Sequence, residues 1–240
     1  MNEDIVDSLA GLLSFSLFFG YHMFYFCLIK TRPSQTSYGQ NQSVRRNWVY
    51  ATMSRGGASS PKDVIAVQTI RNGLMASSLL ASTSITLSSA VAAFLLNSEK
   101  LDNIHRTALF GLHSGLGVHP LYKMFMLIFF FLSAFFAFMQ SIRALTHASF
   151  AIGVPLDFER SFVDCEYVAA LLQRGASFYT VGTRAFYAAF IVLLWLFGPV
   201  PPLVGSVLMI FSCWLLDIHH HKSFQRRTTA SLLSSPVAAA

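Results

Sequence analysis

The chemically richest stretch of the chain is Asp217 followed closely by His219, His220 and His221. On a helix, residues three and four positions apart share a face, so Asp217 would lie beside His220 and His221. Carboxylate and imidazole groups are common ligands of zinc. The favoured interpretation is a solvated helix end, where histidine favours the C-terminal end of the helix dipole. The alternative is a metal site with Asp217, His220 and His221 as ligand candidates, which would make the protein a metal-dependent membrane enzyme.

Hydroxyl groups form a regular pattern in the second apolar segment. Ser78, Ser82 and Thr86 recur every four residues and would form one stripe on a helix. Small residues let two helices approach closely, and their hydroxyls can hydrogen-bond across the interface. The stripe predicts either a central packing helix or the wall of a hydrophilic path.

Five polar residues lie where apolar segments meet polar sequence: Arg71, Asn72, Arg143, His147 and Arg184. Gathered at one membrane border, they would bind an anionic lipid head group or a small anion. The alternative is ordinary anchoring, in which each long side chain reaches the interface separately.

The composition places these candidates in a membrane protein. The chain is 54% hydrophobic and 12% charged, whereas soluble domains carry about 25% charged residues. The net charge of +6 comes from basic residues that flank apolar runs, so we expect membrane lipids as partners and no nucleic acid. The pattern suggests no cofactor, and a homo-oligomer is an open possibility.

Hydropathy predicts an all-α membrane bundle of about five spans, near residues 9–29, 74–96, 121–142, 181–197 and 203–218. The last two would be separated by the sequence GPVPP at 198–202, because three prolines make a continuous helix costly. Four spans, or a re-entrant hairpin, are the alternatives. Residues 1–222 would form one transmembrane domain, and residues 223–240 a disordered tail.

Basic residues are concentrated in the segments 30–71, 143–184 and 222–227. With five spans, all three segments face the cytosol if the N-terminus is outside or lumenal and the C-terminus is cytosolic. On that side we also predict two amphipathic helices, over residues 44–50 and 158–172.

Four sequence segments resemble the DUF599 family of uncharacterised integral membrane proteins. They are QTIRN (68–72) leading into STS (82–84), QSIR (140–143) leading into HASF (147–150), GTRAFY (182–187) and WLFGP (195–199). Plant members of that family carry a tail similar to DIHH at 217–220. The resemblance implies a membrane protein with no assigned activity, so it transfers no catalytic residue.

Taken together, these patterns favour a non-enzymatic protein that is structural or interacts with lipids. The spans carry no charged residue near their predicted centres, which argues against ion-coupled transport. A small oligomeric channel or uncoupled transporter, with span 74–96 lining the path, is the alternative. The metal-dependent membrane enzyme comes third.

Overall fold

The structure is a computed structural model that describes residues 3–54, 61–96, 120–154 and 163–218. Within these ranges the chain forms six α-helices and no β-strand beyond one isolated bridge. The helices are α1 (Glu3–Thr31), α2 (Ser37–Met53), α3 (Pro61–Leu95), α4 (Pro120–Ala151), α5 (Cys165–Trp195) and α6 (Val200–Asp217). The predicted all-α class is confirmed.

Every one of these helices except α2 is long and apolar enough to cross a membrane, which confirms the five-span bundle. Three of them are much longer than a span requires: α3, α4 and α5 have 35, 32 and 31 residues. A rise of 1.5 Å per residue makes them about 46–53 Å long. Since the hydrocarbon core is about 30 Å thick, each of these helices is longer than the core by about 16–23 Å.

The proline-rich turn interrupts the last apolar stretch, as the sequence predicts. Helix α5 ends at Trp195, and Gly198 has a φ of +128°, a conformation that side chains strongly disfavour. Pro199 directly precedes α6, and the next two prolines fall in its first turn. Proline is tolerated there because the first N–H groups of a helix have no acceptor within it. The turn therefore makes α5 and α6 two helices.

The two amphipathic segments differ from their predicted forms. The first is longer than 44–50, because Thr36 begins α2 by accepting a hydrogen bond from the Gly39 N–H at 3.2 Å. The second, predicted over 158–172, is not a separate helix. Asp164 accepts from the Tyr167 N–H at 2.6 Å and starts α5, which continues unbroken to Trp195. Residues 158–162 and the tail 223–240 lie outside the described residues.

Two apolar cores hold the helices together. One lies along the spans, where Phe18 of α1, Leu127 and Phe138 of α4, and Ile191 of α5 are almost fully buried. The other lies where α3, α4 and α5 extend beyond the spans and α2 packs across them. That second core is built from residues of all four helices: Val49, Met53, Ala66, Ile70, Ala148, Ala151, Ile152, Cys165, Val168, Ala169, Leu171 and Leu172. It explains why α2 belongs to the fold although it does not span.

A buried ion pair joins the helices at the opposite end of the bundle. The Asp7 carboxylate of α1 lies 2.9 Å from the Lys123 ammonium of α4 and accepts a hydrogen bond from the Trp195 indole at 2.9 Å. Lys123 also donates to the Trp195 carbonyl at 3.1 Å. The sequence suggests Asp7 or Ser8 as the cap of the first span, and this is wrong for Asp7. Because the helix begins at Glu3 or earlier, Asp7 lies inside α1.

Candidate functional site

A cavity of about 630 Å³ lies where the spans meet the second core. Helices α2, α3, α4 and α5 line it, together with Tyr25 of α1 and Asp217 at the end of α6. Its apolar lining comes from Trp48, Ile70, Gly73, Ala76, Leu145 and Leu172. Charged and hydroxyl-bearing side chains complete the lining, and we call these the polar wall. A lining that combines both kinds of residue suits a molecule with an apolar body and a polar end.

The ion pair between Arg184 and Asp217 forms one side of the polar wall. Its guanidinium and carboxylate atoms are 2.5 Å apart, and their side chains are 17% and 12% exposed. Asp217 also accepts a hydrogen bond from the Tyr21 hydroxyl at 2.9 Å. The Arg184 guanidinium lies 5.5 Å from the centre of the Tyr25 ring. These contacts tie α1, α5 and α6 together at the cavity.

Arg45 of α2 supplies the other charge in the polar wall. Its Nε and a terminal nitrogen donate to Oε1 of Gln173 at 3.2 and 2.9 Å. Gln173 Nε2 in turn donates to the Tyr38 hydroxyl at 2.7 Å. Burial lowers the pKa of Arg45, and interaction with Tyr38 partly opposes that shift. Arg45 is thus a half-buried cation held by neutral groups.

A line of small residues joins α3, α4 and α5 beneath the cavity. Ser141 donates its hydroxyl hydrogen to the Gly175 carbonyl at 2.8 Å, so Ser77 must be the donor in its own 3.2 Å bond to Ser141. Gly175 packs against Leu145 so closely that an added Cβ would lie 2.9 Å from Leu145 Cγ. The hydroxyls are therefore satisfied within the protein while one face of the seam borders the cavity.

The five predicted anion-binding residues occupy different surroundings. Arg184 lines the cavity, whereas Arg71, Asn72, Arg143 and His147 are exposed on α3 and α4. The shared anion site at a membrane border stays a prediction, and Arg184 alone among the five lines the cavity.

The predicted polar stripe points away from the other described helices. Ser78, Ser82 and Thr86 are exposed, and the Thr86 hydroxyl donates to the carbonyl of Ser82 on its own helix. The buried face of α3 instead carries Ser77, Ala81, Ser84 and Ser88. A path along the predicted stripe would therefore need a second copy of the protein to close it.

Of the three metal-ligand candidates, the structure describes only Asp217. His220 and His221 lie outside the described residues, and Asp217 is engaged by Arg184 and Tyr21. Within the described ranges, no group of three or more histidine, cysteine, aspartate or glutamate side chains is placed to hold a metal ion.

Sequence reasoning missed Arg45, Tyr38 and Gln173 as site residues, and it did not pair Arg184 with Asp217. One signal was available for the pair. A charged residue within an apolar helix needs an opposite charge nearby, and Asp217 is the sole carboxylate of α6. The Arg45 network gave no comparable signal, because glutamine and tyrosine are unremarkable on an amphipathic helix.

Comparison with known proteins assigns the chain to a protein family. The family described as "Protein of unknown function, DUF599" matches residues 9–222. No curated protein and no solved structure matches the chain.

Proposed function

Because the chain belongs to the DUF599 family, whose function is unknown, we propose a function from the geometry of its cavity. The protein is a lipid-interacting membrane component that holds one amphipathic molecule in this cavity. The observation that carries the proposal is the mixed lining of the cavity, which combines apolar contributions from Gly73, Ala76 and Leu145 with the charged side chains of Arg45, Arg184 and Asp217.

The dimensions of the cavity agree with a ligand of moderate size. Pockets for small molecules have volumes of roughly 300–1,000 Å³, and this one has about 630 Å³. It would hold a polar head group and part of an acyl chain. The apolar side would cover the chain, while the arginines and tyrosines would contact the head group. Lipids reach such a site easily because the spans are surrounded by them.

A binding role is better supported than a catalytic one. Asp217, the carboxylate in the wall, receives hydrogen bonds from Arg184 and Tyr21, so protein donors already occupy it. The Ser77 and Ser141 hydroxyls are likewise committed to the helix seam. These side chains are therefore arranged to be held in place rather than to attack a substrate.

The cavity end of the bundle is the cytosolic end in the orientation that we propose. Lys30, Arg32, Arg45 and Arg46 lie beyond the end of α1 or close to it, and positive residues are enriched on the cytosolic side. Reporters attached at residue 240 and between residues 100 and 115 would test this. They should appear on opposite sides of the membrane, with residue 240 in the cytosol, and finding both on one side would refute it.

The binding proposal is tested by filling the cavity from the α3 wall. Ala76 is exposed and lines the cavity, so Ala76→Phe would occupy it without overpacking a core. Ala90→Phe changes an exposed alanine of the same helix away from the cavity. Native mass spectrometry in mild detergent should detect one retained lipid per chain in the wild type and in Ala90→Phe, and a strong loss in Ala76→Phe. Equal lipid retention in all three proteins would contradict the proposal.

The exposed hydroxyl face of α3 favours one alternative, an oligomeric channel or uncoupled transporter. In that case Ser78, Ser82 and Thr86 would line a path between two or more copies. The same mass spectra report the copy number, and solute flux into liposomes reports transport. A monomer without flux would eliminate this alternative and leave the binding proposal in place.

A further inference from the structure

Among the described residues, Arg45 differs from the other charged side chains around the cavity in having no acidic partner. Arg184 is paired with Asp217, and the neighbouring Arg46 lies 2.9 Å from the Glu166 carboxylate on the surface. Arg45 contacts only the amide oxygen of Gln173 among the hydrogen-bond and ion-pair partners in the described part of the chain. A cation half removed from water without a counter-charge is unfavourable, so an anion bound beside Arg45 would be stabilised.

The side chain is also held in a fixed orientation. The Ser177 hydroxyl donates its hydrogen to the main-chain carbonyl of Gln173 at 2.8 Å. The Tyr38 hydroxyl must therefore be the donor in its 2.6 Å bond to Ser177. The Tyr38 oxygen then accepts from Gln173, and the Gln173 amide oxygen is left to accept from Arg45. Each hydrogen bond in this network can therefore form in only one direction. The network holds the guanidinium against the cavity wall before any ligand arrives.

We propose that Arg45 is the anion-binding residue of the cavity and that the ligand joins a phosphate or carboxylate to an apolar body. This inference rests on the proposed function, because it takes the cavity as the binding site. Gln173, Tyr38 and Ser177 are positioning residues for Arg45. A guanidinium binds either oxyanion through parallel hydrogen bonds, which gives geometric specificity as well as attraction.

The charges around the cavity indicate the net charge of the polar end. In the part of the chain that the structure describes, its charged lining residues are Arg45, Arg184 and Asp217. Arg184 and Asp217 neutralise each other, so the wall retains one positive charge. A monoanionic head group balances that charge. A zwitterionic head group would bring an ammonium for which the described wall offers no free carboxylate.

The test compares two phospholipids with identical chains. The full-length protein in mild detergent is titrated with dihexanoyl phosphatidylglycerol, which is monoanionic, and with dihexanoyl phosphatidylcholine, which is zwitterionic. Calorimetry should show that phosphatidylglycerol binds about tenfold more tightly than phosphatidylcholine, or better. A tenfold ratio corresponds to about 1.4 kcal/mol, which is near the lower end for a charge-assisted hydrogen bond. Equal affinities in the wild type would overturn the inference.

Three variants locate the preference. Arg45→Gln removes the cation and should abolish the preference. Gln173→Glu leaves Arg45 in place but supplies a carboxylate at the same position, so it should abolish the preference without lowering the melting temperature. Arg46→Gln, on the adjacent and exposed arginine, should leave the preference unchanged. If Gln173→Glu bound phosphatidylglycerol as tightly as the wild type, Arg45 would not be the anion site, even if Arg45→Gln failed to fold.

Failure of the inference can be told apart from failure of the proposed function. If Ala76→Phe abolished binding of both lipids while Arg45→Gln changed neither, the cavity would bind an amphiphile and the Arg45 inference would be wrong. If Arg45→Gln weakened binding while Ala76→Phe did not, the anion site would stand and the amphiphile cavity would fail. Inorganic phosphate is the third probe. Saturable binding of phosphate that Gln173→Glu removes would support the anion site and assign it to a free anion instead of a lipid.

Discussion

The two buried ion pairs in the described part of the bundle lie in opposite surroundings. Asp7 and Lys123 are sealed between helix ends, with side chains 8% and 9% exposed, and Trp195 contacts both. Arg184 and Asp217 are more open, at 17% and 12%, and both line the cavity. The same type of interaction therefore joins helices at one end and forms part of a binding wall at the other.

The two pairs differ in whether a molecule from outside the protein can contact their charged groups. Removing one member of a fully buried pair leaves the other charge buried without its counter-charge. At the cavity, Arg184 and Asp217 are part of the lining, so a molecule that enters can contact them. The sealed end is therefore expected to govern stability, and the cavity end to govern binding.

The largest effect should come from breaking the sealed pair. Lys123→Met leaves the Asp7 carboxylate buried with only the Trp195 indole, and loss of one partner of a buried pair costs about 3–5 kcal/mol. Arg184→Met should cost clearly less, because Asp217 keeps its bond from Tyr21 and faces the cavity. Thermal unfolding in one detergent measures both variants. An equal loss of stability in the two would remove the distinction between the ends.

A double variant sharpens that result. Asp7→Leu combined with Lys123→Met removes both charges, so it should be more stable than Lys123→Met alone. If the double variant were the less stable of the two, the cost would come from packing around Trp195 and not from an unpaired charge.

The next effect tests the packing of the sealed end. Gly11 of α1 lies directly against the Trp195 indole, and a Cβ added there would overlap the ring. Gly11→Ala should therefore destabilise the protein by about 1–3 kcal/mol, the usual cost of overpacking. Gly20→Ala is the matched control on the same helix, since its Cβ would meet nothing within 4 Å. Chemical denaturation compares them, and equal stabilities would show that α1 does not pack on Trp195 as described.

The smallest effect concerns the seam under the cavity. Ser141→Ala removes the hydrogen bonds between α4 and its two neighbours, while Ser133→Ala removes a bond within α4 only. Interhelical hydrogen bonds in membrane proteins contribute about 0.6 kcal/mol each. Ser141→Ala should therefore lower the melting temperature slightly more than Ser133→Ala. The reverse order would show that the seam contributes nothing to helix association.

The helices were predictable because their signals are local. Apolar runs mark the spans, and the prolines after Gly198 mark the break between α5 and α6. The register of α3 was harder. Ser78 and Ser82 are as small as Ser77 and Ala81, and lipid is as apolar as a protein interior, so hydropathy does not distinguish the buried face. The prediction of a separate helix over 158–172 was wrong because no local signal marks where an amphipathic segment joins a span.

The site was less predictable because its contacts are distant in sequence. Arg45 and Gln173 are 128 positions apart, and Asp7 and Trp195 are 188 apart. Both pairs depend on how helices cross, which one-dimensional patterns do not encode. Charge supplies a partial guide, since Asp7, Lys123, Arg184 and Asp217 are among the few ionisable residues within the apolar helices.

The most direct test of the cavity as a binding site is a crystal structure with a monoanionic phospholipid brominated on its acyl chain. The anomalous signal of bromine would locate the lipid without ambiguity. We predict a peak inside the cavity, beside Ala76 and Leu145, with the head group at Arg45. Peaks confined to the outer surface, such as the shallow groove lined by Phe129, Phe136 and Val181, together with an empty cavity, would contradict the account.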